Sequence, residues 1–286
     1  MKVDLIESVE EFIAATTAFR AADPLRTNVI GSVSLTVATG RTTYDDYHWW
    51  IVRGDDGEAV GVAMRTSPFN MIIAPMPIEA ARALGRSVGQ FDDFLPGLAG
   101  SRDMVDALVE GYVESKSAGS TRVLAEERRD LLYELEELIT PNVEGLGRPA
   151  RAEEIETLTE MFAQFWREVE GAPLSPAEAH NGVKKAVKAG SLFCWELAGD
   201  IVAIAGHAPI ITTEAIAIGR IGPVFTPPEF RRRGFGSAVT AHVTRRLIEK
   251  GARVMLFTDA ANPTSNDIYQ AIGYRLVDEV VQMHFE

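Results

Sequence analysis

The sequence predicts an α/β fold in which a mixed, mostly antiparallel sheet is flanked by helices. Three observations in the C-terminal half support this prediction. Short apolar runs alternate with amphipathic helical patterns from residue 148 onwards. A glycine-rich bend after one of the strands opens a helix at Gly236. A second strand leads into an Asn262-Pro263 helix start. Strands and helices in this order predict a sheet with helices packed on it.

The elements of the C-terminal half follow from apolar periodicity and turn residues. Ser175 and Glu178 form a capping box before one helix, and Ala198-Gly199-Asp200 is a tight turn between two strands. In chain order, the pattern predicts helices at 153–169 and 176–189, strands at 191–197, 201–209 and 215–225, a helix at 236–250, a strand at 253–259, a helix at 263–272 and a strand at 280–285.

The bend at Arg231-Arg232-Arg233-Gly234-Phe235-Gly236 has the features of an anion site. A helix start offers unpaired N–H groups and about half a positive charge, and glycine lets the backbone approach a phosphate closely. Gly236 is followed by Ser237 rather than lysine, which excludes a Walker loop, and Val239 replaces the third glycine of a dinucleotide fingerprint. The alternative is a solvated arginine run before an ordinary helix.

These residues resemble the two signatures of the GNAT acyl-CoA-dependent N-acyltransferases. Arg231-x-x-Gly234-x-Gly236 is similar to the pyrophosphate loop of that family. The strand at 253–259, Asn262, Tyr269 and Gly273-Tyr274 resemble its second signature, and an amphipathic helix joins the two. The resemblance covers residues 146–286. It implies a sheet that splays at the strand ending at Thr226.

The resemblance also implies acetyl-CoA as co-substrate and assigns its contacts. A bulge is expected at Gly222-Pro223, because glycine and proline are unfavourable inside a regular strand. The implied cofactor-binding residues are Val224, Phe225, Thr226, Arg231, Arg232, Arg233, Gly234, Phe235, Gly236, Ser237, Asn262 and Asn266.

Tyr269 matches the general acid of the family, which protonates the departing thiolate. A phenol suits this task because its pKa of about 10 lies above that of a thiol. The alternative is a core tyrosine. The general base stays open between Glu196, Glu214, His207 and a water chain, and the alternative for His207 is a structural histidine.

The N-terminal half shows a fainter version of the same plan, with a hairpin at 47–53 and 59–66. Where the phosphate loop should lie, the chain has Pro75-Met76-Pro77-Ile78-Glu79, and the Glu79 carboxylate would repel phosphate. We therefore predict tandem GNAT-like folds: a degenerate domain at 1–140, a linker at 141–147 and the GNAT domain at 148–286. The alternative for the first half is an unrelated α/β extension.

Composition limits the other functions. Among the 286 residues, 46% are hydrophobic, which indicates a globular chain, and the net charge of −13 argues against nucleic-acid binding. A charged start and the lack of an apolar run of about 18 residues predict a cytoplasmic protein without membrane contact. The single cysteine, Cys194, excludes an internal disulfide and a cysteine-based metal site, so we expect no metal and a buried thiol.

The sequence therefore predicts an acyl-CoA-dependent N-acetyltransferase that acts by direct attack in a ternary complex. The acceptor would be a small-molecule or protein amine, and the protein a monomer or homodimer. The alternative is a CoA-binding sensor or interaction module without turnover. A hydrolase is disfavoured because the chain lacks a Gly-x-Ser-x-Gly elbow.

Overall fold

The structure is a computed structural model that describes residues 1–91, 95–116, 124–169, 173–213 and 216–285. It divides into two compact units. The first comprises Met1–Leu131, Asp259–Ala261 and Asp278–Glu286, and the second Leu132–Thr258 and Asn262–Val277. The predicted linker at 141–147 thus lies inside the second unit, and the end of the predicted C-terminal domain belongs to the first.

The first unit is built on a sheet with strand order β1-β2-β3-β4-β5-β13. Its β4 and β5 are parallel and the other neighbours are antiparallel. Its elements are β1 (Lys2–Ile6), α1 (Val9–Ala15), α2 (Thr17–Ala22), α3 (Asn28–Ala38), β2 (Tyr47–Arg53), β3 (Ala59–Thr66), β4 (Met71–Ile73), α4 (Ile78–Phe91), β5 (Gly97–Gly100), α5 (Arg102–Ser115), the start of β6 (Leu124–Leu135) and the end of β13 (Tyr274–Phe285).

The second unit has a sheet of order β6-β12-β11-β9-β8-β7, with β10 beside β11. Its β11 and β12 are parallel, and β11, β9, β8 and β7 follow one another antiparallel. Its elements are the end of β6, β7 (Leu146–Pro149), α6 (Ile155–Val169), α7 (Pro176–Lys188), β8 (Leu192–Leu197), β9 (Asp200–His207), β10 (Ile211–Thr212), β11 (Ala217–Phe225), α8 (Phe235–Glu249), β12 (Ala252–Asp259), α9 (Pro263–Ala271) and the start of β13.

Helices cover both faces of the sheet in the second unit. On one face, Leu158 and Met161 of α6 and Val183 of α7 pack against Cys194 and Ile204 of the sheet. On the other face lies α8, where a Cβ added at Gly219 would come within 2.9 Å of the Leu247 side chain. The mixed, mostly antiparallel sheet flanked by helices confirms the predicted fold class. The capping box of Ser175 and Glu178 is present at the start of α7.

Helices α4 and α5 of the first unit contact each other through glycines. A Cβ added at Gly85 would lie 1.9 Å from the Leu108 carbonyl oxygen, and one at Gly111 would lie 1.9 Å from the Arg82 carbonyl oxygen. Real Cβ atoms do not approach backbone this closely, so the helices can touch only because these positions lack side chains. Arg82 also spans the two helices by an ion pair with Glu110 at 2.5 Å.

We expect Gly85→Ala to destabilise the first unit by roughly 1–3 kcal/mol, the usual cost of overpacking. The added methyl group must push α5 away at Leu108 and open the packing of two buried leucines, Leu84 and Leu108. Urea unfolding measures the loss. Gly182→Ala in α7 is the matched control, because its Cβ would meet only the edge of the Phe162 ring at 3.2 Å. An equal effect of the two substitutions would contradict this packing.

Candidate cofactor-binding site

Strands β11 and β12 separate at a bulge. Their parallel pairing runs from Ala217 opposite Ala252 to Ile221 opposite Leu256, and no further pair of described residues continues it. On the other edge of β11, Ile221 lies opposite His207 but Val224 lies opposite Ala205, so Gly222-Pro223 is bulged. From Gly222 onwards, the backbone groups on the β12 side of β11 therefore have no β-sheet partner among the described residues.

The chain then forms the loop that leads into α8. Arg232 and Gly234 are in the left-handed region, with φ of 62° and 82°. Left-handed residues of this kind turn successive N–H groups to one side, which makes an anion-binding concavity. The first backbone bond at the start of α8 runs from the Ala238 N–H to the Gly234 carbonyl at 3.0 Å. Among the described residues, no acceptor is bonded to the N–H groups of Arg232, Arg233, Gly234, Phe235, Gly236 and Ser237.

The Arg231 side chain supports the loop rather than lining it. Arg231 donates from Nε to the Thr226 carbonyl at 2.9 Å and pairs with Glu168 at 2.5 Å. Its guanidinium also lies 5.7 Å from the Phe225 ring centroid, and that of Arg233 lies 4.7 Å from the Phe235 ring. Arg231 thus fastens the loop to the end of β11, and the main-chain N–H groups from Arg232 to Ser237 remain unbonded among the described residues.

Gly236 faces the gap between the start of α8 and α9. A Cβ at this position would lie 3.3 Å from Thr226 Oγ1 and 4.0 Å from Ile268 Cδ1. The end of β11, the loop and α9 therefore meet around one glycine. A larger side chain there would fill the space beside the N–H row.

The two asparagines of the second signature lie at the start of α9. Asn262 is its N-cap, and its side-chain oxygen accepts from the Ser265 N–H at 3.1 Å. Asn266 is buried one turn further on, 8% exposed. The Asn262 oxygen is therefore already engaged in capping, and a cofactor contact of either asparagine stays a prediction.

Tyr269 lies on the buried face of α9, 7% exposed. Its ring packs edge-on against Tyr274 at 6.3 Å, and the Tyr274 hydroxyl is hydrogen bonded to Thr244 of α8 at 2.7 Å. Burial raises the pKa of Tyr269 to about 12. The phenol therefore keeps its proton at neutral pH, as a general acid must.

His207 lies directly across from Ile221, the residue before the bulge. Its Nδ1 is 2.8 Å from the Ala208 carbonyl oxygen, so the proton of the neutral ring belongs on Nδ1 and the lone pair on Nε2. Nε2 is buried and has no hydrogen-bond partner among the described residues. Burial lowers the pKa of His207. The ring is therefore neutral at physiological pH, with an unused acceptor close to the bulge.

Glu196 is not brought to the bulge. Its carboxylate accepts from Arg148 Nε at 2.6 Å, and Arg148 also binds both oxygens of Glu154, at 2.9 and 2.5 Å. Glu196 lies opposite Ile201, and His207 lies at the other end of β9. At the rise per residue of a strand, Ile201 and His207 are about 20 Å apart. This ion cluster, a contact between residues distant in sequence, makes Glu196 the less favourable of the candidates for the general base. Glu214 lies outside the described residues.

Other kinds of site find no support in the part of the chain that the structure describes. There, no group of three or more His, Cys, Asp or Glu residues is arranged to hold a metal ion. No helix in the same residues combines the length and apolarity of a membrane span. Cys194 is buried, and burial raises the pKa of its thiol to about 12, so it is not a nucleophile at neutral pH.

The Phe193 ring packs against two half-buried histidines, His207 at 6.2 Å and His242 at 5.7 Å. Burial lowers the pKa of both imidazoles. The two neutral rings therefore stabilise the fold fully at pH values above the pKa of a histidine in the unfolded chain, about 6.5. This stabilisation is lost as the pH falls through about 6.5 towards the lower pKa that each histidine has in the folded protein.

We expect the free energy of unfolding of the second unit to fall between about pH 7.5 and pH 5.5, by about 1.4 kcal/mol for each unit of pKa difference. Urea unfolding across this range measures the slope. Replacing His207 and His242 together by Gln should flatten it, and His180→Gln, at a half-exposed position of α7, controls for the substitution itself. His48 has a lowered pKa as well, but it belongs to the first unit and affects the unfolding of that unit. An unchanged slope in the double variant would refute the assignment.

Comparison with known proteins finds solved structures with this architecture. Residues 205–283 match the family model described as FR47-like protein. The structure of an acetyltransferase from the GNAT family of Colwellia psychrerythraea is similar to this chain with a TM-score of 0.65 at 13% identity, covering 100% of both chains. The chain has the GNAT fold. A GCN5-related N-acetyltransferase from Sphaerobacter thermophilus is similar with a TM-score of 0.64 at 15% identity, covering 98% of this chain and 94% of that one.

None of the curated proteins matches the sequence. The FR47-like match, a GNAT-type family, includes the loop, α8, β12 and α9. The GNAT fold therefore accounts for the architecture around the separated strands β11 and β12.

Proposed function

We propose that this protein is an acyl-CoA-dependent N-acyltransferase that transfers acetyl from acetyl-CoA to a primary amine. The observation that carries the proposal is the row of unbonded N–H groups from Arg232 to Ser237, directly beyond a strand that has left its neighbour. Such a row at a helix start binds a diphosphate. The free edge of Val224 and Phe225 offers backbone bonds to the pantetheine arm, as to an added strand.

In this proposal the same order of elements also gives the place of the chemistry. With the diphosphate at the loop and the pantetheine along Val224 and Phe225, the thioester reaches the bulge at Gly222-Pro223. A neutral amine bound there forms a bond to the thioester carbon while the carbon–sulfur bond breaks. Alignment of amine and carbonyl contributes up to about 7–11 kcal/mol of the barrier reduction.

Two proton transfers complete the reaction in this proposal. Tyr269 donates its phenol proton to the departing sulfur, which its raised pKa permits. His207 is the candidate that accepts the proton of the attacking nitrogen, because its neutral Nε2 lies beside the bulge. A chain of waters leading to solvent is the alternative acceptor. Glu196 has no part, since Arg148 holds its carboxylate.

We assign one cofactor site to the chain and treat the first unit as a degenerate copy. That unit repeats the parallel strand pair with a helix between the strands, β4-α4-β5. Before α4, however, Pro75 and Pro77 have no N–H groups to donate. The glycine contacts between α4 and α5 also close the space that α8 and α9 leave around Gly236.

Acetyl-CoA should therefore raise the melting temperature, and a panel of amines should reveal release of free CoA thiol with at least one acceptor. At a concentration of 100 Kd the cofactor stabilises the fold by about 2.7 kcal/mol. If no short acyl-CoA shifts the melting temperature, the proposal is wrong. Binding without transfer to any small-molecule or protein amine would favour a CoA sensor instead.

A further inference from the structure

A small apolar cavity lies beside the bulge, on the face of the sheet that α6 and α7 cover. Its volume is about 40 Å³, which gives room for roughly three groups of the size of a water molecule or a methylene. Its lining consists of Phe162, Val183, Ala186, Ser191, Leu192, Gly206, His207, Gly222 and Pro223.

The cavity adjoins the point that the thioester reaches. Gly222 and Pro223 are both the bulge of β11 and part of the cavity wall. Gly206 stands next to them on β9, where a Cβ would lie 3.3 Å from Pro223 Cδ and 3.4 Å from the Gly222 carbonyl oxygen. Glycine at this position therefore keeps the cavity open towards the bulge.

The lining is mostly hydrocarbon and carries no charged side chain, which favours an apolar occupant beside the single neutral acceptor, His207 Nε2. Phe162, Val183 and Leu192 are hydrocarbon, and the Ser191 hydroxyl is directed to the Ala186 carbonyl oxygen at 3.3 Å. His207 is neutral because burial lowers its pKa. A charged ammonium group would lose its hydration in this cavity without gaining a counter-charge. An alkyl chain has no such hydration to lose when it enters the cavity.

We infer that this cavity receives the alkyl end of the acyl group, so that the protein uses propionyl-CoA and butyryl-CoA at least as well as acetyl-CoA. The inference rests on the proposed function, because that function brings the thioester to the bulge. An acetyl group supplies one methyl and leaves most of the cavity empty. Each further methylene buried there should tighten binding up to about fourfold, until the space is filled.

Calorimetric titration with acetyl-, propionyl-, butyryl- and hexanoyl-CoA tests the inference without an amine acceptor. For the wild type, we expect Kd to fall or stay level from acetyl to butyryl and to rise at hexanoyl. Ala186→Leu adds a branched chain to the cavity wall. It should weaken butyryl-CoA binding at least tenfold and change acetyl-CoA binding less than threefold. Ala189→Leu, at the exposed end of the same helix, should keep the wild-type profile.

A second variant covers the case in which Ala186→Leu fails to fold. Val183→Ala enlarges the same cavity and should shift the preference towards hexanoyl-CoA. If acetyl-CoA binds normally but the wild type disfavours butyryl-CoA tenfold or more, or if neither variant changes the order of chain lengths, the inference is overturned and the proposed function stands. If no acyl-CoA binds at all, the proposed function itself fails.

Discussion

Gly236→Glu should abolish the binding of acetyl-CoA, raising Kd at least a hundredfold. Gly236 lies in the first turn of α8, and a side chain there points between Thr226 and Ile268. The new carboxylate would occupy the space beside the N–H row and repel the diphosphate. A hundredfold higher Kd corresponds to a loss of about 2.8 kcal/mol of binding free energy. The thermal shift that acetyl-CoA produces in the wild type should disappear.

The free protein should tolerate this substitution, because a carboxylate in the first turn interacts favourably with the helix dipole. Loss of the shift would then report loss of binding rather than unfolding. Two controls separate size from charge. Gly236→Ala adds only a methyl group and should weaken binding modestly, whereas Ile248→Glu places the same charge at an exposed site near the other end of α8 and should leave the shift intact. A full shift in Gly236→Glu would place the cofactor elsewhere.

Tyr269→Phe should lower kcat by about 10²–10⁴-fold, the usual contribution of a general acid. The ring would still pack on Tyr274, so the Kd for acetyl-CoA should change little. The effect should therefore appear in kcat rather than in cofactor binding, which steady-state kinetics combined with calorimetry separates. The measurement needs the amine acceptor that the panel identifies.

Tyr133→Phe is the matched control for this prediction. Tyr133 is also buried beside α9, where its hydroxyl accepts from Gln270 at 3.1 Å, but it has no place in the proposed chemistry. Its loss should cost stability and leave kcat within about threefold. If Tyr269→Phe keeps a third or more of the wild-type kcat, the proton reaches the thiolate by another route.

The elements around the site could be predicted because each has a local signal. Ser175 and Glu178 cap α7, and Asn262 with Pro263 starts α9, as the sequence indicates. Gly273 after α9 has φ of 100°, and a Cβ there would lie 1.8 Å from the Glu137 carbonyl oxygen. In these cases one residue type is required by backbone geometry or by an unsatisfied helix end, so the sequence alone is informative.

Helix α3 was not predicted, although Val29, Val33 and Val37 recur at the i, i+4, i+8 spacing of a helix face, because β-branched residues favour strands. Other features depend on contacts that no local pattern shows. The ion cluster of Arg148, Glu154 and Glu196 joins three separate elements. The assignment of residues 278–286 to the first unit likewise follows from pairing of β13 with β5.

A crystal structure of the protein with bound CoA tests the central claim most directly. The diphosphate oxygens should lie about 2.7–3.2 Å from main-chain nitrogens between Arg232 and Ser237, with the pantetheine arm beside Val224 and Phe225. A diphosphate held by side chains alone, or bound away from the start of α8, would contradict the proposed site and the reaction built on it.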